Sequence, residues 1–391
     1  MNCILFDDNR LDLLPLTYTR PVPDIRVGIL TIREKWERFL SQSTSTITVD
    51  YLKEKYSIQR MEVNTLINGS ILPTNEIIKA ITNLDQGVAL TKDEVLIACV
   101  LKDTELDSFI NGDLEGLAQK EWEGEFLQLN NSTDIFRLNG PAIESDYQLL
   151  TEGRDSASIS STNQLLGNNI FVEEGAKIEC ACINSTTGPV YIGKNAEIME
   201  GSIIRGPFAL CESSTLKMGA KIYGPTTIGP YSKVGGEVNN SVILGYSNKG
   251  HDGFLGNSVI GEWCNLGADT NNSNLKNNYA DVKLWNYETE RFKQTGLQFC
   301  GLIMGDHSKC GINTMFNTGT VVGVSSNIFG AGFPRNFIPS FCWGPERSTY
   351  DLNTAIDVAI KVMERRNVTL TKTDKDILSH IFSVTDKYRG K

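Results

Sequence analysis

From Ile192 onward an apolar residue returns at every sixth position: Ile192, Ile198, Ile204, Leu210, Leu216, Ile222, Ile228 and Val234. The series resumes as Phe254, Ile260 and Leu266, and again as Met304, Cys310, Phe316, Val322 and Ile328. A helix repeats its apolar face about every 3.6 residues and a half-buried strand every second residue, so neither yields this spacing. A chain that turns a corner after every short strand does yield it, and hexad periodicity is the mark of a parallel β-helix. Each apolar residue is expected to point into a narrow prism. Glycine follows it directly at Gly193, Gly229, Gly261, Gly267, Gly305, Gly311 and Gly323, where the chain must bend. Two gaps interrupt the series. One, between Val234 and Phe254, contains His251. The other, from about 269 to 300, reads as an inserted loop, and loops that leave a solenoid often build its binding face.

Before about residue 165 the pattern is different. Short apolar runs such as "ILFD" (4–7), "TITVDYL" (46–52), "VNTLING" (63–69) and "VLIACVL" (95–101) alternate with helical spacings at 29–40 and 75–84. That alternation predicts an α/β domain with a mainly parallel sheet. The polar stretch 151–167 reads as a connection, and two helical patterns close the chain at 352–366 and 373–388. We therefore expect three parts: 1–165, 166–345 and 346–391. The last is placed to cover the solenoid's open end.

The net charge of −10 over 391 residues argues against nucleic acid or an anionic membrane as the main partner. No run approaches the roughly 18 apolar residues of a membrane span. The nine cysteines include no Cys-x-x-Cys pair, which fits reduced thiols and a cytoplasmic setting. A local basic cluster, Arg20, Arg26, Arg33 and Lys35, can still serve a small anionic substrate.

At the first gap the sequence resembles a known family. "YSNKGHDGFLGN" (246–257) followed by "NLGADTNNSNLK" (265–276) is similar to the G-S-K-A-G-H-L-T-Y-L-G-D and N-I-G-A-G-T-I-T-C-N-Y motifs of the bifunctional enzymes that make UDP-N-acetylglucosamine. These join a sugar-1-phosphate uridylyltransferase domain to a left-handed β-helix with glucosamine-1-phosphate acetyltransferase activity. The resemblance puts His251 on the catalytic histidine, and Asn265 and Asn274 on family asparagines. Phe254 and Leu275 stand where the family has tyrosines. Asn248 stands at the family lysine, with Lys249 one residue later. The N-terminal part resembles the nucleotidyltransferases more loosely. "LLPLTYTRPVPDIRVG" (13–28) keeps Pro15, Leu16, Thr17, Pro21, Pro23, Val27 and Gly28, but "FDDNRLD" replaces the glycine-rich loop, Val22 the lysine, and Ser70 the metal-binding aspartate.

The resemblance implies an α/β nucleotidyltransferase-like N-terminal domain, a left-handed parallel β-helix and C-terminal helices, assembled as a homotrimer. It implies acetyl-CoA as cosubstrate, bound near Gly311 to Gly330, and Mg²⁺ with a nucleoside triphosphate and a sugar phosphate at the N-terminal domain. Acetyl transfer to a sugar amine requires the ammonium to lose a proton. Histidine, with an ordinary pKa near ~6.5, is neutral enough at cellular pH to accept it. His251 is the expected base; Lys249, Asn265 and Asn274 are the expected substrate contacts. Composition alone would make His251 a loop residue and the asparagines corner residues. Arg20 and Arg26 flank the retained Pro-Leu-Thr and Val-Gly segments and can replace the missing loop and lysine at a nucleotide's phosphates. The metal ligands stay open among Asp7, Asp8 and Asp146. His307 reads as structural, and His380 as packing or surface. Two alternatives remain: a nucleotide-sugar-binding or regulatory protein with a degenerate N-terminal domain, and an acyltransferase for another acceptor.

Overall fold

The computed structural model describes residues 1–113, 116–345 and 348–389. The expected start of the C-terminal segment, residue 346, lies outside them.

The N-terminal domain is built on six strands: β1 (Asn2–Phe6), β2 (Ser45–Ile47), β3 (Val63–Asn68), β4 (Val88–Lys92), β5 (Val95–Lys102) and β6 (Ala118–Glu121), in the order β2-β1-β3-β5-β4-β6. β1 pairs in parallel with β2 and β3, but β5 runs antiparallel to both β3 and β4. β4 and β6 are again parallel, so the sheet is mainly parallel as expected, with β5 as the single reversed strand that makes it mixed. The cause is local. Asp93 and Glu94 both take positive φ (46° and 68°) between β4 and β5, the geometry of a two-residue hairpin. Apolar patterning does not reveal a turn made by two acidic residues. Helix α1 (Ile32–Leu40) begins with a reciprocal cap between Thr31 and Glu34. α2 (Asn75–Thr82) is capped by Thr74. α3 (Leu106–Ile110), α4 (Asp134–Arg137) and α5 (Asn139–Thr151) follow.

The second part is a parallel β-helix whose three faces are sheets of ten, nine and six strands. The first paired strand is Gln164–Leu166. Ile192, Ile198, Ile204, Leu210, Leu216, Ile222, Ile228 and Val234 all lie in one buried interior cluster, as the hexads predict. The first gap is not a gap: Val238 and Ile243 continue the interior, and Lys249 then pairs with Val234. The coil shortens here, so the strict count of six fails while the prism persists. The count also misplaced one residue. Leu255, paired with Val238, points inward, and half-buried Phe254 does not.

One corner of every coil from Asn195 to Phe341 holds a non-glycine residue at positive φ: Asn195, Ser213, Tyr231, Tyr246, Trp263, His307, Ser325 and Phe341, all between 54° and 61°. Such a conformation costs roughly 1–2 kcal/mol per residue. Stacking offsets it where the corner is aromatic: Tyr231–Tyr246, Tyr246–Trp263 and Trp263–His307 have ring centroids 5.1, 4.2 and 6.4 Å apart. Helix α6 (Leu352–Glu364) packs Ala359 and Met363 against Trp263 in this aromatic corner. α7 (Lys372–Val384) starts with a Thr371/Asp374 cap and stacks His380 on Tyr51 of the N-terminal domain, 4.1 Å between centroids. The C-terminal helices therefore lie along the side of the solenoid and join it to the first domain.

The nine-stranded face is apolar on its inner side and largely so on its outer side, where Thr227 is the polar exception and bonds the Gly28 carbonyl at 3.0 Å. Phe171, Tyr191 and Ala209 pack outward against Ile29, Leu30, Ile143 and Leu150 of the N-terminal domain. The second gap does leave the coil, as expected, but its hairpin (Lys283–Asn286 with Arg291–Gln294) clasps the first domain. Asn286 donates to Asp12 at 2.6 Å, and Tyr287 meets Tyr18 edge-on at 5.5 Å.

Candidate functional site

A groove of about 580 Å³ lies between the ten-stranded face and the end of α6. The shortened coil forms one wall. Exposed His251 stands there beside Asn248 and Gly250, and the next coil brings Asn265, Leu266 and Gly267. The His251 ring has no hydrogen-bond partner among the described residues. Five cations line the groove: Lys217, Lys233, Lys309, Arg365 and Arg366, with no aspartate or glutamate. In a chain of net charge −10 that concentration is local and selects for an anion.

The register explains how the cations meet. Lys233, Asn248, Asn265 and Lys309 pair in successive strands, each just before an inward residue, so they stack as one outward column. α6 supplies the other wall. Because Met363 and Ala359 are fixed on Trp263, the helix ends with Arg365 and Arg366 over the column. Arg366 donates to Asn248 Oδ1 at 3.2 Å. Lys309 donates to the His307 carbonyl at 2.8 Å, and burial pushes its ammonium below the ordinary lysine value. Sequence reading missed all five cations. Lys233 and Lys309 were legible in principle from the position just before an inward residue, once the coil length was known. Arg365 and Arg366 were not, because their place depends on how α6 docks.

Lys249 lies beneath the groove rather than in it. It is 2% exposed, and its Nζ donates to the carbonyls of Gly235 (3.0 Å), His251 (2.7 Å) and Asp252 (3.3 Å). Asn274 is brought elsewhere: its amide donates to Asn257 Oδ1 at 2.8 Å, on a different corner. His251 and Asn265 are thus the predicted residues that share the groove.

A second concavity, about 510 Å³, opens in the N-terminal domain at the carboxyl ends of β1, β2 and β3, where open α/β sheets commonly bind ligands. Asp8 lies on its wall. Its carboxylate accepts from Asn68 Nδ2 (2.7 Å), Gln128 Nε2 (3.1 Å) and the Asn9 N–H (3.0 Å). Asp7 is turned to structure: it accepts the Val22 N–H and the Thr48 hydroxyl, and burial raises its pKa. Ser70 is fully buried under the cleft and bonds Asn68. The cleft lining carries Asp7, Asp8 and Glu94 and no lysine, arginine or histidine.

The basic cluster expected at this cleft is elsewhere. Arg20 is buried and grips Asp306 of the β-helix through Nη1 (3.1 Å) and Nη2 (2.5 Å), with Glu262 at 3.0 Å. Burial would lower its pKa, but the two carboxylates outweigh that and raise it. Arg26 reaches across to the Leu244 carbonyl at 3.2 Å and donates to Ile29. Arg33 pairs with Asp24, and buried Lys35 with Asp146. Asp146 also accepts the N–H groups of Ile29 (2.7 Å) and Leu30 (3.0 Å), which removes it as a metal ligand for the cleft. The cluster is a folding and docking device, because each cation meets a carboxylate or carbonyl that the sequence separates from it. Among the described residues no three His, Cys, Asp or Glu side chains gather as a metal site. His307 occupies the positive-φ corner, with its Nδ1 buried and unbonded; burial lowers its pKa to about 4.

Residues 3–155 match the sequence model of the sugar nucleotidyl transferase family. The chain is 28% identical over 211 residues to a bifunctional sugar-1-phosphate nucleotidylyltransferase/acetyltransferase of Sulfurisphaera tokodaii, covering 54% of this chain and 46% of that protein. It is 37% identical over 87 residues to the bifunctional protein GlmU of Methanocaldococcus jannaschii, covering 22% of this chain and 21% of that one. The matched part thus spans less than half the length of either relative. Among solved structures, the polySia-specific acetyltransferase NeuO overlaps 47% of this chain and 82% of its own, at 16% identity and a TM-score of 0.24.

Proposed function

We propose that the protein is a two-site transferase of sugar-nucleotide metabolism, in which the β-helix groove moves an acetyl group from acetyl-CoA to the amine of a sugar phosphate. The observation that carries this reading is the groove itself: His251, in a motif similar to an acetyltransferase's, stands among five cations and no carboxylate. Both acetyl-CoA and a sugar phosphate carry phosphates that such a lining attracts.

In this reading the sugar ammonium first loses one proton to solvent, and the His251 imidazole takes a second from the neutral amine as its nitrogen attacks the thioester carbon. The C–N bond forms, and the carbonyl electron pair moves onto oxygen. The exposed Asn265 amide is the side chain best placed to donate to that oxyanion. Collapse breaks the C–S bond, and coenzyme A leaves as a thiolate that the histidine's proton neutralises.

The N-terminal domain would transfer a nucleotidyl group to a sugar-1-phosphate, in line with its family match. Its cleft is acidic, so a triphosphate needs a divalent cation to enter. Asp8, with no cationic partner among the described residues and its oxygens held by amides and a backbone N–H, fits Mg²⁺ bound through one carboxylate plus substrate phosphates. The absence of basic lining equally favours a second reading, in which this domain only binds or has lost nucleotides. Titration with UTP and dTTP, each with Mg²⁺, separates them: no heat for either supports the second.

The acceptor is the least constrained part. Asn274 does not reach the groove, so recognition of the sugar differs from the motif's family at that point. The test is thiol release from acetyl-CoA against glucosamine-1-phosphate, other amino sugars and hydroxyl acceptors. No release with any of them refutes acetyl transfer. We further propose a homotrimer, supported by Met218 and Ile312, which are 71% and 72% exposed beside the groove. Light scattering that gives a monomer contradicts it. A cytoplasmic setting is suited by the buried thiols of Cys3, Cys99, Cys211, Cys264, Cys300 and Cys310, which form no disulfide among the described residues.

A further inference from the structure

Lys249 occupies the one interior place where its column breaks pattern. Leu216 and Val234 precede it and Leu266 and Cys310 follow, all buried in the prism. An apolar side chain would fill that place with no charge to desolvate, and replacing buried ions by apolar groups is often neutral or stabilising. The lysine instead makes three contacts, one for each ammonium proton. One anchors it to the preceding coil at Gly235, and two hold the loop carbonyls of His251 and Asp252. Backbone bonds hold the far side of the loop, from the Asp269 N–H to the Asp252 carbonyl (3.1 Å) and from the Glu237 N–H to the Gly253 carbonyl (3.2 Å), but at exposed His251, next to Gly250, the lysine supplies the anchor. Burial lowers the ammonium's pKa to about 8, partly countered by Asp252 and Asp269.

We infer that Lys249 is a positioning residue for His251, fastening the loop that carries the imidazole to the coil beneath it. This rests on the acetyl-transfer reading of the groove. Lys249 does not touch substrate; it sets where the base stands.

The test is Lys249→Met, whose unbranched apolar chain suits the prism interior. Three measurements are made: thermal melting, kinetics with acetyl-CoA and the best acceptor, and the imidazole NMR signals. Only three histidines are present, so His251 is assigned by loss of signal in His307→Ala and His380→Ala. The expected result is an unchanged or higher melting point, a shifted or broadened His251 signal, and kcat lower by about 10–100-fold, the scale of a displaced catalytic group. KM for acetyl-CoA should stay within about threefold, because the groove cations are untouched. If Lys249→Met does not fold, Lys249→Gln, which keeps a donor there, is measured instead. Unchanged kcat beside an inactive His251→Ala overturns the inference, as does a kcat loss that merely tracks a lower melting point. A moved His251 signal with full activity in both variants overturns the acetyl-transfer reading and leaves the anchoring standing.

Discussion

Asp306→Ala should loosen the N-terminal domain from the β-helix. Asp306 accepts four hydrogen bonds: two from Arg20, one from the Thr19 hydroxyl at 2.7 Å, and one from the Glu262 N–H at 2.9 Å. The side chains of Arg20 and Asp306 are 6% and 3% exposed, so solvent screens the pair little. Burial pushes the Asp306 carboxyl up, but Arg20 more than reverses this and holds it below the ordinary carboxylate range. Removing one partner of such a pair leaves a buried charge and costs about 3–5 kcal/mol. Glu262, at 3.0 Å and one-third exposed, will keep part of the Arg20 charge matched, so the lower end applies. At ~2–4 °C per kcal/mol for a domain of 150–250 residues, the melting point should fall by roughly 6–12 °C. The double variant Arg20→Met/Asp306→Leu should recover much of it, since the one charge left without its partner, Glu262, is one-third exposed and can be solvated. The pH dependence follows from the same shift. A folded-state pKa below the unfolded value of ~3.9 gives stability that is present above that value and lost as pH falls through the folded one. The Asp306→Ala deficit should therefore be full at neutral pH and shrink only below about pH 4. Scanning calorimetry and urea unfolding across pH measure it. An unchanged melting point at pH 7 would refute the reasoning.

Three further outcomes are expected. Leu216→Asp places an unpaired carboxylate where the side chain is fully buried, so circular dichroism should show no folded β-helix. Arg365→Ala and Arg366→Ala should each raise KM for acetyl-CoA or the sugar phosphate several-fold, with the difference from wild type narrowing at high salt. Asp8→Asn should weaken Mg²⁺-dependent nucleotide binding in calorimetry while the melting point stays near wild type, because its amide partners can bond the new side chain.

Sequence and structure part company where geometry joins residues that periodicity keeps separate. The hexads placed Ile192 through Val234 inside the prism because close packing tolerates one side chain per short strand. The same count failed at Lys249 and Leu255, where a corner lost residues and the spacing changed while the register with Val234 and Val238 held. His251, proposed here as the base, was singled out by its motif, and the structure sets it in the groove wall. Its cationic surroundings were not legible, since Arg365 and Arg366 arrive only when Met363 seats on Trp263. Arg20 and Arg26 looked like phosphate ligands because sequence shows charge but not partners; Asp306 lies far along the chain and the Leu244 carbonyl carries no sequence signal.

The central claim is that His251 is a base for acetyl transfer, and His251→Ala tests it most directly. A positioned proton acceptor is worth about 10²–10⁴-fold in rate. Initial rates of coenzyme A release, at neutral pH and saturating acceptor, should fall by that factor. Acetyl-CoA affinity by calorimetry should be preserved, because the five cations remain. Nucleotide binding at the N-terminal cleft should be unaffected, and His307→Ala should leave the rate unchanged. A His251→Ala protein that released coenzyme A at close to the wild-type rate would contradict the account and make His251 a solvated corner residue.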